Sequence, residues 1–261
     1  MLWLQGFGVV VLAVCFASIV VWTMQRYGAE LQSDDETGVS TSLFEVITVL
    51  YAIVLAFVLI TSWEDWNHAR HTTYDEADSL VEVYWSAYTF PTEQSDEVRE
   101  TVRAYTDEVI NEEWEAMSEQ DDVTNRGWLL IDQMRDPIAA YAEEEGEAEQ
   151  ARIEDFQSQL RSVSEARMQR LDQSVRGLTG AMWTLLIIGL FLVVAVLLAL
   201  KPPSHRYQYF MVSAVSAMMA LLVFGIYQLE LPFTRGVSIS AEPYETAVVR
   251  FDAIDRELSG D

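Results

Sequence analysis

The chain has 261 residues, enough for one or two domains, and its mean hydropathy is only +0.11 although 51% of its side chains are apolar. Forty-one acidic residues against 16 basic ones leave a net charge of −25, a field that repels phosphate backbones and excludes nucleic acid as a partner. The single cysteine, Cys15, excludes an intrachain disulfide and a Cys-based metal site.

The apolar residues are concentrated in four stretches: Leu2–Met24, Leu43–Trp63, Leu178–Leu200 and Tyr207–Leu229. None contains Asp, Lys or Arg, and their only carboxylate, Glu45, lies near one end. A hydrocarbon layer about 30 Å thick is crossed by roughly 20 apolar residues at 1.5 Å rise each, so four spans and a multi-pass membrane protein are expected. The first stretch reads as an uncleaved span. It has no Lys or Arg before it and no small-x-small cleavage site after Met24.

The polar linker Gln25–Ser42 joins spans one and two into a hairpin, and Lys201–Arg206 (KPPSHR) joins spans three and four into another. Between the hairpins lies one polar block, Glu64–Gly177, with 29 acidic residues and ten arginines. Four crossings place both termini and this block on one side. The expected organisation is membrane residues 1–63, an acidic soluble domain 64–177, membrane residues 178–230 and a C-terminal tail 231–261.

The block reads as helical throughout. Glu64–Tyr88 runs on from span two with no Gly or Pro. Ser95 is expected to cap a helix Ser95–Met117, in which Val98, Val102, Tyr105 and Val109 form an apolar stripe. A shorter helix around Trp128–Asp136 should stop before Pro137. The last, Glu147–Arg176, carries Ile153, Phe156, Leu160 and Val163, then Met168, Leu171 and Val175 after a one-residue jump of register. Gly177 and Gly180 permit a bend into span three. No strand alternation appears, so the fold class is all-α: four transmembrane helices in two hairpins, with an acidic helical domain inserted between helices 2 and 3.

Three segments carry a family resemblance. The first is the end of span two and its extension, with Phe57, Trp63, Ala69, Glu76 and Ala77; the second is AYTDEVINEEW, with Tyr105, Glu113 and Trp114. The third is LELPFTRGVSISAEPYETAV, with Leu231, Pro232, Phe233, Gly236 and Ser240. In these the chain resembles a prokaryotic four-span family called bestrophin-like, over nearly all of its length after span one. The acidic residue that in the family directly precedes the Pro-Phe pair is Leu231 here, with Glu230 one position earlier. The resemblance implies paired spans around a helical domain and a distant kinship with pentameric bestrophin chloride channels. It therefore implies a homo-oligomer, inorganic ions as partners, and a cytoplasmic location for the domain and both termini at the cell membrane. The basic residues themselves give opposed cues, because KPPSHR and Arg26 favour one orientation while Arg161, Arg167, Arg170 and Arg176 favour the other.

Candidate chemistry is sparse. On span two, Glu45, Thr48, Ala52 and Ala56 recur at helical spacing. Small and polar side chains converging from several subunits could line an ion path, with Glu45 as a carboxylate ring favouring cations; a helix-packing stripe is the competing reading. Ser213, Ser216, Ala217 and Ala220 on span four read as packing. Glu64, His68, His71 and Asp75 share a helix face and are the one candidate metal set, weighed against a solvated polar face. The carboxylates Glu143, Glu144, Glu145, Glu147 and Glu149 around Gly146 read as diffuse cation attraction. Glu113 is expected to pair with another helix, through Arg99 or Arg103. There is no phosphate-cradling glycine loop, zincin histidine pair or nucleophile–His–acid set. Neither an enzyme nor a cofactor is therefore expected. The leading reading is an ion channel with span two lining the pore and a weak lean to cations. A non-conducting membrane-anchored sensor or scaffold, recruiting a partner through its helical domain, is the alternative.

Overall fold

The computed structural model describes residues 2–27, 37–144, 149–199 and 204–259, and every regular element among them is helical. Most of the first linker, positions 145–148 of the acidic run and the Lys201-Pro202-Pro203 segment lie outside the described residues. In order come α1 (Leu2–Tyr27), α2 (Thr37–Ala87), α3 (Thr92–Glu108), a π turn (Val109–Glu113) and α4 (Trp114–Glu119). These are followed by α5 (Arg126–Glu144), α6 (Gln150–Val175), α7 (Gly180–Ala199), α8 (His205–Leu229) and α9 (Glu242–Ser259). Helices α1, α2, α7 and α8 are long and apolar enough to cross a membrane.

The chain divides into two compact units, Met1–Glu64 with Gly177–Glu230, and Asp65–Arg176 with Leu231–Asp261. In the first unit, Tyr51, Leu55 and Val58 of α2 meet Leu186 and Val193 of α7 and Met219 and Ile226 of α8. The Tyr51 hydroxyl donates to the Leu186 carbonyl at 2.7 Å. Its ring lies over Gly189, where a Cβ would come within 2.4 Å of the ring carbons, so only glycine admits that approach. Helix α1 packs on α8, where Ala17 and Val21 join Val212 and the α7 residues Leu197 and Leu198. The outward faces carry Leu4, Phe7, Leu12, Phe16, Phe191 and Phe210 in exposed positions, as suits helices whose solvent is hydrocarbon.

In the second unit a single large core draws on α2 (Leu80, Val83, Tyr84), α3 (Val98, Val102, Tyr105), α5 (Ile131, Met134, Ile138), α6 (Phe156, Leu160, Val163) and α9 (Tyr244, Phe251, Ile254). Residues read from the sequence as a tail thus include a helix of this core. Three further expectations are corrected. Ser95 is buried inside α3, whose N-cap is Pro91, with no side-chain cap bond. Pro137 lies within α5 rather than ending it. The usual penalty for an internal proline is offset because Met134 and Ile138 on either side are both buried, and Tyr141 and Ala142 continue the same face. Beyond Val163, α6 turns Ala166, Arg167, Arg170 and Ser174 inward; Met168 and Val175 are 60% and 77% exposed. Two arginines continue its inner face in place of Met168 and Val175, while Leu171 is partly buried against Met117 and Phe233.

Candidate functional site

On α2 the first unit separates the candidate pore stripe from the bundle interior. Glu45, Ala52 and Ala56 are exposed and Thr48 is half-buried, flanking the face on which Tyr51, Leu55 and Val58 are buried. The family residues Phe57 and Trp63 are also exposed, among Val46, Val49, Leu50, Ile53 and Ile60. Glu230, at the end of α8, accepts hydrogen bonds from the Leu178 N–H at 3.0 Å and the Trp183 indole N–H at 2.9 Å. This displaced carboxylate therefore anchors the chain entering α7, where amide groups lack helical acceptors.

The remaining family residues converge inside the second unit. Glu76 of α2 and Glu113 of the π turn are fully buried with Arg167 and Arg170 of α6. Arg170 bridges both carboxylates, donating from Nε to Glu76 Oε2 at 2.8 Å and from Nη2 to Glu113 Oε2 at 2.9 Å. Arg167 Nη1 donates to Glu113 at 2.5 Å, and the Tyr105 hydroxyl to Glu76 Oε1 at 2.6 Å. Two carboxylates and two guanidiniums make the cluster neutral, the condition under which buried charge is tolerable. Burial alone would lower the Arg170 pKa, but Glu76 beside it raises it well above the ordinary arginine value. Burial and the Glu76 charge push the Tyr105 hydroxyl well up. At Gly127 a Cβ would fall 2.4 Å from Glu113 Oε1 and 2.6 Å from the Arg167 guanidinium carbon; the bare backbone closes the cluster.

The π turn is what brings Glu113 there. Tyr105, Val109, Glu113 and Met117 are all buried, at steps of four residues. Each such step overshoots one α-helical turn by about 40°, so Met117 would lie about 120° from Tyr105 in an uninterrupted helix. One wider turn absorbs the surplus residue and restores the phase.

Trp114, the next residue, packs edge-on against Phe233 at 5.5 Å and Tyr244 at 5.6 Å. Its indole N–H donates to the Ile239 carbonyl at 3.3 Å, and that of Trp66 to the Val237 carbonyl at 2.8 Å. Pro232 is buried and its carbonyl accepts from the Ile239 N–H at 2.8 Å; Gly236 is exposed. Glu113 does not use Arg99 or Arg103. Those two bind Asp255 of α9 at 3.2 and 2.9 Å, together with the hydroxyls of Tyr84 and Tyr88.

The candidate metal residues Glu64, His68, His71 and Asp75 are all exposed, and among the described residues no three His, Cys, Asp or Glu side chains are placed to hold a metal ion. Asp75 instead lines an open groove of about 420 Å³ with Asp78, Glu82 and Glu165.

A model of the Bestrophin-like domain matches residues 11–244. No curated protein matches the chain. Among solved structures, a bacterial bestrophin homologue from Klebsiella pneumoniae, phased by Zn-SAD, is similar with a TM-score of 0.73 at 13% identity, covering 95% of this chain and 97% of that one. A single-substitution variant of a Klebsiella pneumoniae homologue gives 0.73 at 13%, covering 95% and 98%. A structure described only as a membrane protein carrying a proline-to-alanine substitution gives 0.72 at 14%, covering 96% and 98%. With a matched segment spanning most of its length and four apolar helices of membrane-crossing length, this chain is a membrane protein of the bestrophin-like family.

Proposed function

We propose that the protein is a homo-oligomeric ion channel of the cell membrane, with α2 lining the path, its helical domain and termini in the cytoplasm, and a weak preference for cations. One observation carries this reading: the interior of the four-helix unit is filled by Tyr51, Leu55, Leu186, Val193 and Met219, while Glu45, Ala52 and Ala56 are exposed outside it. A single copy packed in that way has no room for an aqueous path. Outward small and polar side chains on α2 suit a path enclosed between copies, where apolar constrictions desolvate the ion and charge at the mouth selects it. Kinship with the bestrophin-like family supports the same architecture.

Mass determination in detergent is the first test. A ring of four or five copies is expected; a monomer or dimer removes the channel reading and leaves the anchored sensor or scaffold. Flux from liposomes is the second. In about 1 M salt, where the field of the acidic domain is screened to about 3 Å, active liposomes should lose cation preference when Glu45→Gln is introduced, and unchanged preference would exclude the mouth ring.

A further inference from the structure

The helix running from Thr92 to Glu119 contains one residue more than its inner face needs. In an uninterrupted α-helix, Glu112 and Ala116 would lie within about 20° of Tyr105, and Glu113 and Met117 would be turned away by roughly 80° and 120°. We propose that the π turn is a slip joint. The part before Val109 stays fixed while the turn passes between π and α registers, moving Trp114 and Met117 on and off the segment that directly follows α8.

The two ends of this helix are held by different partners. Val98, Val102 and Tyr105 belong to the large core, whereas Met117 belongs to a small cluster with Phe233 and Ile239. The Thr234 hydroxyl also donates to the Met117 carbonyl at 3.3 Å, so rotation beyond the turn is passed to residues 231–240. The outer residues of the turn, Asn111 and Glu112, are exposed, so re-registering displaces no core side chain on that side. Because Glu112 precedes Glu113, the α register still presents a carboxylate towards Arg167. Among the described residues, the Nε and Nη2 groups of Arg167 find no hydrogen-bond partner in the π register although the residue is fully buried. Single π turns inside α-helices are costly and recur at functional positions. The inference stands whether or not the protein conducts ions.

Hydrogen exchange of the full-length protein in detergent, with one deletion, tests it. In the wild type, amides of 109–117 should exchange at least about tenfold faster than those of 98–105, although both stretches contribute buried residues. Deleting Asn111 removes the surplus residue and leaves Glu113 and Met117 inward in a plain α-helix. That variant should melt at or above the wild-type temperature, with exchange over 109–117 slowed to the level of 98–105. Deleting the equally exposed Glu100, where no residue is surplus, should lower the melting temperature by about 10 °C or more. Uniform wild-type exchange over 98–117 overturns the proposal. So does an Asn111 deletion that melts as low as the Glu100 deletion or leaves exchange unchanged.

Discussion

At the scale of single residues, the buried ion cluster decides most. Among the described residues, Arg170 is the side chain that pairs with both Glu76 and Glu113. Arg170→Met leaves a carboxylate charge buried without its partner, a change that costs on the order of 3–5 kcal/mol. Chemical unfolding in detergent should register that loss, and Arg170→Lys should recover little of it because one ammonium cannot reach two carboxylates in the planar fork geometry. Pairing Arg170→Met with Glu76→Gln should cost less than Arg170→Met alone; a larger cost would mean the charge balance is not what stabilises the cluster. Asp255 behaves differently because it is partly exposed. Burial opposes its ionisation, but hydrogen bonds from Tyr88, Tyr84 and Arg103 outweigh this and hold its carboxyl below the usual range. A depressed folded value stabilises the protein above the unfolded pKa of about 3.9, and that stability disappears as pH falls through the folded value. The melting-temperature gap between wild type and Asp255→Asn should therefore stay constant from about pH 7 to 5 and close below about pH 4. The existence of Glu76 and Glu113 as special residues was legible in the family motifs, but their partners were not. Arg99 and Arg103 were the expected partners of Glu113, and nothing local revealed that α9 supplies Asp255 to take them.

At the scale of elements, reading inward faces from apolarity alone fails where charge is buried in pairs. In α6 the residues Met168 and Val175 are apolar yet exposed, and the periodicity from Ile153 to Val163 continues through Ala166, Arg167 and Arg170, with Leu171 partly buried beside them. The unbroken phase was in the sequence; the assumption that arginine faces water concealed it. Met168→Gln should thus change stability by no more than about 0.5 kcal/mol, as for a surface site. Val163→Gln, five positions earlier and fully buried, should cost several times more, since it places an unpaired amide in the core. A reversed order of the two in a denaturant titration would restore the apolar register. The π turn was legible in the same way, as three successive four-residue steps from Tyr105 to Met117 that no straight α-helix keeps on one face. The extension of α2 beyond span two followed from the lack of Gly or Pro between Glu64 and Phe90, whereas its start at Thr37 lies in residues read as linker. Helix α9 lies in residues read as a tail, although Tyr244, Ala247, Phe251 and Ile254 repeat at helical spacing and are all buried.

At the scale of the whole molecule, two sources of cation preference can be separated by their reach. The block Glu64–Gly177 carries a net charge of −19, a diffuse field acting through solvent. Glu45 would act at the mouth of the proposed path itself. The screening length is about 30 Å at 0.01 M salt, 10 Å at 0.1 M and 3 Å at 1 M. A preference that arises from the domain must fade as salt rises, because fewer of its carboxylates remain within reach of the ion. One set by Glu45 persists, because the ion passes the carboxylate at contact distance. Reversal potentials measured in reconstituted membranes at a fixed concentration ratio should therefore fall steeply between about 0.01 and 1 M salt, leaving a remainder that Glu45→Gln removes. A preference flat across that range would assign selection to the pathway alone, and the acidity of the domain would then need a reason unrelated to conduction.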